Sequence, residues 1–193
     1  MMTVSSLLRE PIGAAFQSNQ TERPPKMNHR ILLTLAVGLL TTSAAFAQTP
    51  TSIGKFNDWS AWTYAGSKGK VCYIHSTPKT MRPQNLNHGD MSFFIRRSPA
   101  EGIQSEANFV AGYPFRESST ATVDIDGQKF TLFTQGDSAW LLNASDEAKL
   151  LAAMKAGRSM TVTATSGRGN ETSYSYSLSG VTAASDKIVA ECR

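Results

Sequence analysis

The side chains in this sequence best suited to acid–base, nucleophilic or metal chemistry are His75, His88 and Asp90. A zinc site or a Ser-His-Asp relay needs three such groups converging in space. One of the 3 histidines, His29, lies in an N-terminal apolar-flanked segment, which leaves two. His75 ends an alternating run and His88-Gly89-Asp90 falls in a polar connection, so both read as surface positions. There is no G-x-S-x-G elbow, no H-E-x-x-H and no phosphate-cradling loop. Ser166-Gly167-Arg168-Gly169 has the glycines of a turn but neither the Lys nor the following helix of a phosphate loop. Asp124 and Asp126 flank a turn; they read as solvated turn residues before they read as a weak cation site. The sequence therefore predicts no catalytic residue, no metal and no cofactor.

Two further groups of residues carry a reading. Cys72 and Cys192 are the 2 cysteines of the chain. In an oxidising compartment an isolated pair is most simply a disulfide. A redox or metal pair would use close spacing such as C-x-x-C, which is absent. The closed loop would hold 121 residues, and the chain-entropy account gives such a loop about 4–5 kcal/mol. Trp59, Trp62 and Trp140, with Tyr113, Tyr174, Tyr176 and Arg168, form the candidate binding surface. Aromatics at strand spacing also serve as core.

The compartment is indicated by the N-terminal quarter. Met27-Asn28-His29-Arg30 precedes the apolar run Ile31 to Leu40, and small residues end at Ala45-Phe46-Ala47. A basic start, an apolar stretch of about 7–15 residues and an A-x-A ending are the parts of a secretory signal peptide. The run is roughly half the ~20 residues of a membrane-spanning helix. Residues 27–47 are thus expected to be a signal cleaved between Ala47 and Gln48, with an uncleaved anchor as the alternative. Residues 1–26 are polar and aperiodic, an early-assigned start or a long leader, without a folded role. Residues 48–193 are the size of one domain. They carry 15 Lys/Arg against 13 Asp/Glu, and the longest basic run is Arg96-Arg97. A nucleic-acid partner would want a clustered basic stripe, so that class is excluded. The membrane is met only through the cleaved signal.

Short alternating segments dominate residues 48–193. Phe56–Tyr64, Lys70–Thr77, Met91–Arg97 and Ser105–Gly112 read as strands; in the second, Val71, Tyr73 and His75 share one face and Cys72 and Ile74 the other. Thr120 to Phe133 holds two alternating runs around Asp126-Gly127, the signature of a type I′ hairpin. Ser159–Ser166 and Thr172–Leu178 form a second hairpin. A helix starts near Asn143 or Ser145 as cap, carries Leu150, Leu151 and Met154 on one stripe, and ends at Gly157. Thr182–Glu191 suits a second helix. The fold class is mainly β, a single sandwich or open barrel of about eight short strands with one or two helices.

Several stretches in this order resemble the invasion-associated locus B family of exported bacterial proteins. They are Phe56-Asn57-Asp58-Trp59, Val71-Cys72-Tyr73-Ile74, Gly112-Tyr113-Pro114-Phe115, Val123-Asp124-Ile125-Asp126-Gly127, Ala139-Trp140, Met154-Lys155-Ala156-Gly157 and Tyr176-Ser177-Leu178-Ser179-Gly180-Val181-Thr182-Ala183-Ala184. The resemblance spans nearly all of Phe56–Cys192. It implies a β-rich protein of the periplasm or cell surface of a Gram-negative bacterium, associated in some members with host-cell entry, in a family for which no enzymatic activity is established. Many members carry a further cysteine pair where this chain reads Phe133 to Ala139 without one. The expected function is a non-enzymatic envelope protein that contacts an envelope or host-surface protein or the cell wall. The alternatives are a small-ligand or lipid carrier, which needs an apolar cavity of several hundred Å³, and a hydrolase built on His75 or His88.

Overall fold

The computed structural model describes residues 49–193; the leader over 1–26, the signal-type segment over 27–47 and the Ala47–Gln48 junction lie outside them. The chain enters through strands β1 (Thr51–Phe56), β2 (Trp59–Gly66), β3 (Gly69–Ser76) and a short β4 (Thr80–Arg82). Next come β5 (Ser92–Ser98), β6 (Ile103–Val110), β7 (Thr120–Ile125), β8 (Gln128–Gln135) and β9 (Ser138–Leu141). Helix α1 (Glu147–Ala156), strands β10 (Ser159–Thr165) and β11 (Glu171–Ser177), and helix α2 (Val181–Glu191) complete it. The strands make one open antiparallel sheet of 11, in the order β1-β2-β3-β5-β6-β9-β8-β7-β10-β11-β4.

The strand period of two sorts the side chains. Trp59 and Ala61, Cys72 and Ile74, Phe93 and Ile95, Ala107 and Phe109 point inward from β2, β3, β5 and β6 and are buried. Val123, Leu132, Val162, Tyr174 and Tyr176 do the same from β7, β8, β10 and β11, and all belong to a single core. A fully buried Phe or Ile of this kind contributes about 1.5–3 kcal/mol. One core shared by distant strands requires the sheet to curl. Its seam is fastened where the β1–β2 turn meets the end of β11: Trp59 Nε1–H donates to Ser177 O at 3.0 Å, and Asp58 N–H to Ser179 O at 3.2 Å. Helix α2 continues from the end of β11 and packs against β1, β2 and β3, burying Val181, Ala184 and Ile188 in the core.

The eleven strands exceed the eight expected, for identifiable reasons. Phe56 does not begin the first long strand. The chain turns at Asn57, whose φ of 50° suits an asparagine, and β1 pairs back onto β2. Strands β4 and β9 have 3 and 4 residues, too few to show a period. The Asp126-Gly127 hairpin is present: both residues have positive φ and Ile125 pairs with Gln128. Neither Asn143 nor Ser145 caps α1; a 3₁₀ turn over Ala144–Asp146 intervenes and Asp146 takes the N-cap position without a side-chain bond.

Glu147, opening α1, is wired to the sheet. The backbone N–H of Ala107 on β6 lies beyond the reach of β9's ladder and donates to Glu147 Oε2 at 2.8 Å. Burial pushes this carboxyl up to about 7, Glu106 nearby adds to the rise, and the Ala107 hydrogen bond opposes it. A carboxyl raised in the folded state stabilises the fold fully below its unfolded value, and that contribution is lost as pH climbs toward 7. Burial depresses His75, which tilts stability the opposite way below its unfolded value. The Glu147 contribution is therefore isolated by difference. Glu147→Gln is expected to remove a decline of the urea midpoint between pH 4.5 and 7; identical pH profiles for variant and parent would refute it.

Candidate functional site

The outward face of the sheet divides into two unlike halves. On β10 and β11 the outward positions are Thr161, Thr163 and Thr165, and Ser173, Ser175 and Ser177. That is the ordinary composition of a solvated sheet face. On the other half the register lines up His75 with Phe94, Phe94 with Asn108, Asn108 with Trp140, and Trp140 with Phe133. A second row sets Trp62 beside Tyr73, Tyr73 beside Arg96, and Arg96 beside Glu106. Tyr64 leans on Tyr73 with ring centroids 6.2 Å apart. These side chains turn outward because Cys72, Ile74, Phe93 and Ile95, one position away on the same strands, turn inward.

The rings touch in sequence. Tyr73 and Phe94 stand 5.9 Å apart, His75 stacks on Phe94 at 5.6 Å, and Phe133 stacks on Trp140 at 5.6 Å. Tyr64, Tyr73, Phe94, Arg96, Glu106, Asn108, Val110 and Trp140 line a shallow groove of about 370 Å³. Its charges are internally matched. Arg96 Nε donates to Glu106 at 2.7 Å and Nη1 to Glu101 at 2.9 Å. Bonding to Glu106 raises the guanidinium further, and bonding to Ser98 and Arg96 lowers Glu101. Burial raises the Tyr73 hydroxyl and lowers the His75 imidazole. Trp62 Nε1 and His75 Nδ1 are covered and have no hydrogen-bond partner among the described residues.

A second concavity of about 400 Å³ lies among three loops and is lined by Asn87, His88, Tyr113, Ser166, Arg168 and Thr172, among others. Gly112 packs so closely here that a Cβ would stand 2.6 Å from His88 O and Asp90 N. Beneath the cleft, His88 Nε2–H donates to Pro83 O at 2.7 Å, and Nδ1 meets Tyr174 Oη at 2.9 Å. Tyr113 Oη links Tyr174 Oη and Thr172 Oγ1, each at 2.7 Å, and Thr172 Oγ1 donates to Ala164 O. The chain of hydroxyls locks the loops to β10 and β11. Desolvation raises the Tyr174 hydroxyl, so it stays protonated.

The residues singled out from the sequence separate. Trp59, Tyr174 and Tyr176 are core side chains, 0–1% exposed, and are no binding surface: each shares its strand face with other inward residues. Trp62 and Trp140 lie on the outward aromatic half. Tyr113 and Arg168 line the loop cleft instead. Cys72 and Cys192 are bonded, with Cα atoms 6.0 Å apart. His75 and His88 do not meet: one is on the outer face, the other is buried beneath the cleft. His88 is bonded to a phenol and a carbonyl, and none of its hydrogen bonds reaches a Ser, a Cys or a carboxylate. Asp124 Oδ1 accepts from Gly127 N–H at 2.9 Å, closing the hairpin. No cluster of three metal-ligating side chains occurs among the described residues. Sequence reasoning missed Tyr64, Tyr73, Phe94, Asn108 and Phe133 as site residues. A signal existed, since a disulfide forces Cys72 inward and therefore Tyr73 and His75 outward.

The family model described as Invasion associated locus B (IalB) protein matches residues 59–189. That span takes in both outward halves of the sheet, both clefts and most of α2. The crystal structure of invasion associated protein B from Bartonella henselae shares this fold. The TM-score is 0.53 at 14% identity, over 73% of this chain and 97% of that one. No curated protein matches the chain in sequence. The chain belongs to the invasion associated locus B (IalB) family.

Proposed function

We propose that this is an exported envelope protein that works by binding rather than by catalysis, through the aromatic outer half of its sheet. The observation that carries the reading is the contrast within one sheet, Ser and Thr outward on β10 and β11 against Trp, Tyr, Phe and His among the outward residues of β2, β3, β5, β8 and β9. Phe133 is exposed and the other rings of this strip are half-buried; a contiguous outward apolar strip of this kind marks a contact site. Export is supported by the signal-type segment over 27–47 and by the long-range disulfide, which an oxidising compartment favours. None of the described helices is long and apolar enough to cross a membrane. The relative from Bartonella is named for invasion, a process in which an exported contact surface has an obvious place. A lipid or small-ligand carrier has less support, because the central core is filled with side chains and the groove and the loop cleft both open at the surface.

The test converts one half of the face into the other. In a deletion strain, the chain carrying Tyr73→Thr, Phe94→Thr and Trp140→Thr is expected to fail to restore envelope integrity or host-cell entry, at normal abundance and with near-parental melting. Full restoration by that triple variant sinks the proposal.

A further inference from the structure

We infer that His88 holds a second ring proton in the folded protein, and that this proton latches together the three segments around the loop cleft. The latch belongs to the cleft alone and does not involve the aromatic face.

Five close contacts run in a line beneath the cleft. Pro83 O lies 2.7 Å from His88 Nε2, and His88 Nδ1 lies 2.9 Å from Tyr174 Oη. Tyr113 Oη stands 2.7 Å from both Tyr174 Oη and Thr172 Oγ1, and Thr172 Oγ1 stands 2.9 Å from Ala164 O. These are hydrogen-bond distances, so each contact calls for one proton between its two atoms. Both ends of the line are carbonyl oxygens, which only accept. The three hydroxyls bring one proton each, and burial keeps the Tyr174 proton in place. A neutral imidazole brings one more, on either nitrogen, so the five contacts share four protons. One contact would then set two lone pairs face to face. The imidazolium brings two protons, and the line closes. Nε2–H donates to Pro83 O and Nδ1–H to Tyr174; Tyr174 then donates to Tyr113, Tyr113 to Thr172, and Thr172 to Ala164 O. The Nε2 to Pro83 O distance of 2.7 Å agrees. It is shorter than the ~2.9–3.0 Å usual for a neutral N–H donor and falls in the range of charged ones.

No ion pair supplies the charge. From β11, Tyr174 meets the imidazole edge-on with ring centroids 5.4 Å apart, and Tyr113 is one link further along. Arg168 shares the cleft lining, Arg82 ends β4, and Asp90 follows His88 by two residues. None of these three charged side chains is hydrogen-bonded to His88. Burial opposes a charged ring. Against it stand two charge-assisted bonds, a contact that would otherwise be orphaned, and a cleft that opens to solvent beside the ring.

Pro83 and His88 belong to the connection after β4, Tyr113 to the loop after β6, and Ala164, Thr172 and Tyr174 to β10 and β11. One proton therefore fastens all three. A proton taken up on folding stabilises the fold at low pH, and its contribution is lost as pH rises. The latch is set in acid and slackens in base.

The experiment follows the His88 imidazole of the purified, oxidised, 15N-labelled protein by NMR from about pH 5 to about pH 9, the range in which histidines titrate. Both ring nitrogens are expected to carry protons at the acid end. Tyr113→Phe removes two contacts and one hydroxyl, so a neutral ring serves every contact that remains; Thr172→Val does the same. In both variants the His88 midpoint is expected to fall by about one pH unit, a tenfold loss of proton affinity and the worth of one hydrogen bond. Thr172→Ser keeps every contact and is expected to keep the parental midpoint. Exchange of the Gly167 N–H, bonded to Pro114 O beside the cleft, is expected to accelerate relative to amides of β2 and β3 as the parent passes that midpoint. Equal midpoints in the parent, Tyr113→Phe and Thr172→Val overturn the extra proton, as does an Nδ1 that stays unprotonated across the range. The parent's Nδ1 signal decides this even where a variant does not fold. A Thr172→Ser midpoint as low as that of Thr172→Val overturns the hydroxyl line as the cause, and unchanged relative exchange at Gly167 overturns the latch.

Discussion

Replacing Cys72 and Cys192 together by alanine is expected to lower the stability of the fold by about 4–5 kcal/mol, the chain-entropy value for a loop of this length. Small domains have about 5–15 kcal/mol in total, so the loss removes roughly a quarter or more. The structure adds reasons why the effect should be near the upper end. The bond joins β3, in the middle of one half of the sheet, to the residue just after α2. Around it, Arg97 Nε donates to Cys192 O at 2.8 Å and Lys70 pairs with Glu191 at 2.7 Å. Both sulfurs are buried, and Cys72 belongs to the core. Urea unfolding of parent and double-alanine variant checks it. A midpoint difference worth less than about 1 kcal/mol would mean that α2 holds the seam without covalent help.

The second large effect is at Gly180, between β11 and α2. Its φ is 95°, and a Cβ there would lie 1.9 Å from the carbonyl oxygen of Phe56 and 2.6 Å from its carbonyl carbon. A left-handed non-glycine residue alone costs about 1–3 kcal/mol, and here the obstacle is backbone, which cannot swing aside. Gly180→Ala is expected to destabilise by about 3 kcal/mol or more and to loosen the β1–β2 turn. Exchange of the Asp58 N–H, bonded to Ser179 O, should accelerate in step. A variant with parental melting and unchanged exchange at Asp58 would show that the turn is not pinned from this side.

The fold was legible where a segment is long enough to repeat its period. Strands β2, β3, β5 to β8, β10 and β11 were all visible, as were both helices, and Asp126-Gly127 marked its hairpin because only a turn uses that pair. The three strands that escaped are short, or hidden behind a turn made by Asn57. The disulfide was legible from composition alone. The site was much less so. Aromatic residues were read as one surface, yet Trp59 and Trp62 sit three positions apart on a strand and must face opposite ways. Whether Trp59 or Trp62 faces the core depends on where β2 begins, and the turn at Asn57 sets that. Tyr113 and Tyr174 look unrelated in sequence and meet because the Gly112 loop folds against β11. Partnerships of that sort depend on strand order, which no local pattern encodes.

The fastening of the seam has a consequence for how the protein is made. Residues 177–192 supply the acceptor for Trp59, the glycine under Phe56, the helix packed on β1, β2 and β3, and the second sulfur. Until that tail has emerged, the strands before it have no lid and no covalent stop. A polypeptide built this way closes late, and the sheet is locked only once its C-terminal segment has docked and Cys192 has reached Cys72.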